Sequence, residues 1–130
     1  MTQGLGFLLA MLLEGALAAA LGWWLGPRLE LSRFAASVRC SAASVIGTGV
    51  TYPALWLWFS RWVEITGSWW GGALSGLCLA ILVEGMFYAA VLRGHWRLSL
   101  GLSAVANVGS FGVAVLINWL LANPDGTAQG

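Results

Sequence analysis

The chain has 130 residues, a length that suits one domain, with 59% apolar and only 8% charged side chains. Six arginines and five acids cannot supply the polar surface of a soluble fold, which averages roughly 25% charged residues. A net charge of +1 offers no basic stripe for nucleic acid, and no lysine is present. What remains is an all-α polytopic membrane protein whose outer surface faces lipid.

A bilayer core of about 30 Å needs roughly 20 apolar residues in helix. The first such run is 4–26, stopped by Pro27, which cannot continue the hydrogen-bond ladder. It lacks a basic n-region and is long enough to span rather than to be cleaved as a signal peptide. Ala10, Glu14, Ala18, Gly22 and Gly26 recur every four residues and so share one ridge. The segment 27–39 carries Arg28, Arg33 and Arg39, and Leu29, Leu31 and Phe34 suggest that it lies along the interface.

The second apolar run is 40–59, with Ser44, Thr48, Thr51 and Pro53 inside it. A tryptophan-rich connection over 61–71 leads to the third run, 72–92. There Gly72, Gly76, Ala80 and Glu84 repeat the ridge of the first helix. Residues 93–97 (RGHWR) form a turn tight enough to make the third and fourth helices antiparallel neighbours. The fourth run is 98–121, and the polar tail 123–130 is expected to be disordered. The expectation is therefore a four-helix transmembrane domain over 1–122. Cys40 at a boundary and Cys78 within a span read as two buried thiols rather than a disulfide.

Arg28, Arg33, Arg39, Arg93 and Arg97 share one side of the membrane, and only Arg61 falls on the other. The positive-inside rule then makes the five-arginine side cytoplasmic, in a bacterial inner membrane, with both termini outside. Tryptophan belts fit this frame: Trp23, Trp24 and Trp96 inside; Trp56, Trp58, Trp62, Trp69, Trp70 and Trp119 outside.

The two halves share short phrases. Leu12-Leu13-Glu14-Gly15 matches Leu82-Val83-Glu84-Gly85 at an offset of about 70, and Ile46-Gly47-Thr48 matches Val108-Gly109-Ser110 at about 62, as a duplicated helical hairpin with one shortened loop would. Chance similarity between apolar segments is the alternative.

Glu14 and Glu84 are the residues an apolar span tolerates least, at about 2.5 kcal/mol or more for an acid at the helix centre. Their small-residue ridges are a membrane packing signature, which turns both carboxyls into the bundle. Counting from the tight turn puts Asn107 at the depth of Glu84, while Ser44, Thr48 and Thr51 are candidate partners for Glu14. Two readings follow. Either the acids handle protons or cations, or they are neutral and lock helix register through hydrogen bonds.

A lone His95 between arginines is an interfacial polar residue, and no set of ligands converges as a metal site requires. No span contains a histidine for haem or chlorophyll, so no cofactor is implied. Nothing resembles a nucleophile elbow or phosphate cradle, so an enzyme is not expected. The main expectation is an accessory or assembly subunit packing against other membrane subunits or its own copies. The alternative is a small proton-coupled transporter or channel using Glu14 and Glu84. In length, four spans and an acid at position 14, the chain resembles the small multidrug resistance transporters, which implies proton-coupled transport. It departs from them in its second acid, Glu84, in lacking their Tyr/Trp-Gly packing motif, and in its one-sided arginines.

Overall fold

The computed structural model describes residues 3–122. The tail beyond 122 lies outside the described residues. Among them are four α-helices: α1 (Gln3–Leu25), α2 (Arg33–Thr66), α3 (Trp69–Val91) and α4 (Trp96–Ala122). Three stretches, Phe7–Leu29, Trp69–Val91 and Trp96–Ile117, are long and apolar enough to cross a membrane by length and composition. The longest helix, α2, falls short on hydropathy because serines and threonines line its inner face and arginines stand at both its ends.

Each connection has a local cause. Pro27 converts the end of α1 into a 3-10 turn, Gly26–Leu29, and Glu30 closes it in the left-handed region at φ 55°. Ser32 then caps α2 by accepting from the Ala35 N–H at 3.1 Å. At the far end Gly67, at φ 66°, returns its N–H to the Val63 carbonyl. Ser68 starts α3 at once by accepting from the Gly71 N–H at 3.1 Å. Arg93 and Gly94, both at positive φ, make the turn into α4.

The second helix runs well past its apolar stretch at both ends. Residues 33–39, expected along the interface, and 61–66, expected within a connection, are both helical. An apolar run ends where lipid ends, whereas a helix ends where its caps stand. At a 1.5 Å rise per residue, the 34 residues of α2 reach about 51 Å, beyond a hydrocarbon core of about 30 Å. The overhangs carry polar pairs: Arg61 and Glu64 meet at 2.9 Å, both well exposed.

Successive helices pack side by side, and α4 returns to α1. The inner faces are built from small residues around the two acids: Gly15, Ala18 and Gly22 beside Glu14 on α1, and Gly72, Gly76 and Ala80 beside Glu84 on α3, are all buried, as are the acids. Large apolar side chains point outward, among them Leu12, Phe34, Ile65 and Trp70. A fold that hides glycine and shows leucine is inside out for water and suited to lipid. Cys40 is buried, but Cys78, expected to be buried, is exposed on α3, because it lies two residues from both Gly76 and Ala80 and so on the face opposite the inner ridge.

The packing differs between the two ends of the bundle. At the end with the α1–α2 and α3–α4 connections, here the arginine end, Leu25, Leu29, Cys40, Tyr88, Leu92 and Leu102 form a sealed core. Toward the other end, no residue from Phe7 to Leu13 on α1 or from Tyr52 to Trp70 is buried.

Gly22 is where α1 and α2 touch most closely: a Cβ there would lie 2.6 Å from the Ala36 carbonyl oxygen. Backbone cannot swing aside like a side-chain tip. Gly22→Ala is expected to destabilise the bundle by about 1–3 kcal/mol, the usual range for overpacking. Thermal unfolding in detergent checks this, and an unchanged melting temperature would contradict it.

Candidate functional site

The midsection of the bundle holds six buried polar side chains drawn from all four helices: Glu14, Thr48, Thr51, Glu84, Asn107 and Ser110. Helical spacing explains their convergence. Ser44, Thr48 and Thr51 recur at steps of four and three on the inner face of α2, and Ser99, Ser103, Asn107 and Ser110 do the same on α4.

Glu14 accepts from two hydroxyls. Thr48 Oγ1 donates to its Oε2, and Ser110 Oγ donates to its Oε1 at 2.6 Å. Glu84, only 1% exposed, accepts from Thr51 Oγ1 at 2.8 Å and from Asn107 Nδ2 at 2.8 Å. Asn107 is itself oriented by the Ser103 carbonyl, 3.0 Å from its Nδ2. Gly47 makes room for this arrangement, because a Cβ there would lie 3.0 Å from the Glu84 Cγ.

Of the residues singled out in the sequence, Asn107 lies against Glu84 and Thr48 against Glu14. Thr51, a candidate partner of Glu14, turns to Glu84 instead. Ser44 reaches neither acid. It is fully buried one turn further toward the arginine end, where it faces Tyr88. Sequence reasoning passed over Ser110, although its match to Thr48 in the repeated phrase was a usable signal. It also passed over Tyr88, four residues beyond Glu84 on the same ridge. His95 lies in the exposed turn before α4.

Hydrogens in this network are fewer than the contacts. Thr48 meets one acceptor. Thr51 meets two, Glu84 and the Gly47 carbonyl at 3.0 Å. Ser110 also meets two, Glu14 and the Asn107 carbonyl at 3.1 Å. Three hydroxyl hydrogens thus face five contacts. One proton on each carboxyl would close the difference, since a neutral acid donates as well as accepts. Among the described residues no cation stands in hydrogen-bond contact with either acid, and the arginines lie at the bundle ends.

A lipid-embedded bundle with one polar cluster joining all its helices is the build of a small membrane channel or transporter. The relatives agree with this. The chain is 30% identical over 126 residues to a fluoride-specific ion channel FluC of Cronobacter sakazakii (strain ATCC BAA-894), an alignment covering 92% of this chain and 96% of that one. A second fluoride-specific ion channel FluC, from Klebsiella pneumoniae (strain 342), is 28% identical over 122 residues, covering 88% and 93%. The chain belongs to the FluC family. No protein-family model and no solved structure matches it. The accessory-subunit expectation is not supported, because the relatives are ion channels by name. Likeness to the small multidrug resistance transporters, which rested on length and one acid, is replaced by a match along nearly the whole chain.

The network makes a stability prediction. Glu84→Ala strands the Thr51 and Asn107 donors in the core and is expected to cost about 1–3 kcal/mol. Glu84→Gln keeps an acceptor and adds donors, so it should stay within about 1 kcal/mol of the parent. Melting in detergent that ranks the Gln variant below the Ala variant would show the network does not hold the bundle.

Proposed function

We propose that the chain carries fluoride across a bacterial cytoplasmic membrane, passing it through the polar cluster with Glu14 and Glu84 in their neutral form. The observation that carries this reading is the junction of four helices on one set of O–H and N–H donors in an otherwise apolar interior. Fluoride is a small, strongly hydrated anion and a strong hydrogen-bond acceptor. Leaving water requires donors that replace its hydration shell, the general demand on an ion path through protein. Thr48, Thr51, Ser110 and Asn107 supply such donors when they exchange a carboxyl or carbonyl partner for the ion. Ionised glutamates would repel an anion at this depth, whereas neutral ones add two further O–H groups.

The cluster stands between the sealed core and the more exposed half, so on this reading an ion reaches it first from the end opposite the arginines. The arginine bias favours an orientation with that end outside. The carboxyl protons also make coupling of proton and fluoride movement a natural extension of this reading.

Fluoride release from loaded proteoliposomes, followed with a fluoride electrode, is the test. The parent protein is expected to release fluoride and retain chloride. Since an amide N–H replaces a carboxyl O–H as donor, Glu14→Gln and Glu84→Gln should conduct within about threefold of the parent, and the Ala variants about tenfold or more below it. Release no faster than from empty vesicles would reject the reading. A well-folded Glu84→Gln protein without flux would instead make the transferable carboxyl proton the working element.

A further inference from the structure

The sealed core at the arginine end contains polar groups that the Glu14 and Glu84 network does not use. Tyr88 and Ser44 are both 0% exposed. Their hydroxyls face one another across α2 and α3, yet neither makes a hydrogen bond of normal geometry. Around them stand Cys40, Leu92 and Leu102, all buried. A hydroxyl shut into such a core without a partner costs stability, and phenylalanine would fill nearly the same space without that cost. Packing therefore gives no reason for the Tyr88 hydroxyl.

Position does. Tyr88 follows Glu84 by one turn of α3, and Ser44 precedes Thr48 by one turn of α2. Both steps lead from the polar cluster toward the arginine end, through the half of the bundle that is otherwise closed by leucines. Ser99, also 0% exposed, lies further along α4 in the same direction, and its hydroxyl already donates to the His95 carbonyl at 3.0 Å. Tyr88 and Ser44 are thus the hydroxyls with hydrogens still available on this stretch.

We propose that the Tyr88 and Ser44 hydroxyls form a second anion-binding step, taking a dehydrated fluoride ion between the Glu84 network and the arginine end. This rests on the fluoride-conducting reading above. The two O–H groups face one another between α2 and α3, and on the reading above Glu84 and Glu14 are neutral and do not repel an anion there. Arg39 follows at the next residue before Cys40 and is half-buried, so the route continues toward positive charge.

The experiment compares Tyr88→Phe and Ser44→Ala with the parent in the same proteoliposomes, alongside melting in detergent. Each variant removes one hydroxyl and little else. Because the Tyr88 hydroxyl makes no hydrogen bond of normal geometry, Tyr88→Phe is expected to melt at or above the parent temperature. Fluoride release should nonetheless fall about tenfold, the scale of one lost hydrogen bond to a small ion, with Ser44→Ala moving in the same direction. Parental release from Tyr88→Phe would overturn the second step and leave the fluoride reading standing. A lower melting temperature for Tyr88→Phe would overturn it too, by showing that the hydroxyl serves the fold. If the parent itself releases no fluoride, both fall.

Discussion

Two carboxyls held in the apolar midsection of a membrane bundle are the constraint around which this structure is arranged. Each must meet hydrogen-bond partners inside the protein, because lipid offers none. The partners must come from neighbouring helices, since a helix's own backbone is already paired. Glu14 on α1 therefore reaches α2 and α4, and Glu84 on α3 does the same. That requirement fixes the depth of all four helices relative to one another. The glycine and alanine ridges follow from it, because carboxyls this short bridge helices only when the backbones come close.

The network does not respect the likeness between the two halves of the sequence. Thr48 and Ser110 occupy equivalent places in the repeated phrases, so a symmetric bundle would give one to each acid. Both bind Glu14 instead. Glu84 is left with Thr51 and Asn107, whose equivalents by the same offset, Val113 and Val45, are apolar. Whatever the origin of the two hairpins, their polar chemistry is unequal. Glu14 is bound by hydroxyls alone and Glu84 by a hydroxyl and an amide, so the two acids sit in different polar environments.

How much of this was legible in the sequence depended on distance along the chain. Four helices were legible from apolar runs and their breaks, and inward-facing acids from ridges of small residues. Asn107 could be placed at the depth of Glu84 because a five-residue turn leaves little freedom between α3 and α4. The contact between Ser110 and Glu14 joins the first helix to the last. No loop length constrains that pair, and only the closing of the bundle brings them together. The ends of α2 were hidden for another reason. Ser32 and Gly67 set them, and cap chemistry is independent of the hydropathy that marks a span. Tyr88 was overlooked because a tyrosine in a span reads as an interfacial residue, and nothing local shows that its hydroxyl is sealed away from the interface.

The unequal packing of the two halves bears on how a bundle with a polar centre avoids leaking. A continuous aqueous file would pass any small ion. Here the half at the arginine end is closed by leucine, cysteine and tyrosine side chains, with Leu92 and Tyr88 at or below 1% exposure. An ion that crosses such a region does so without its water and survives only on donors fixed in the walls. Hydroxyls and amides attached to packed helices can turn their hydrogens toward an anion, which replaces the water it has shed. On the proposed reading the neutral carboxyls add to these donors, because their protons turn two groups that would repel an anion into donors for it. On the proposed reading, discrimination then follows from the hydrogen count of the network rather than from pore width, and the sealed half makes that count decisive.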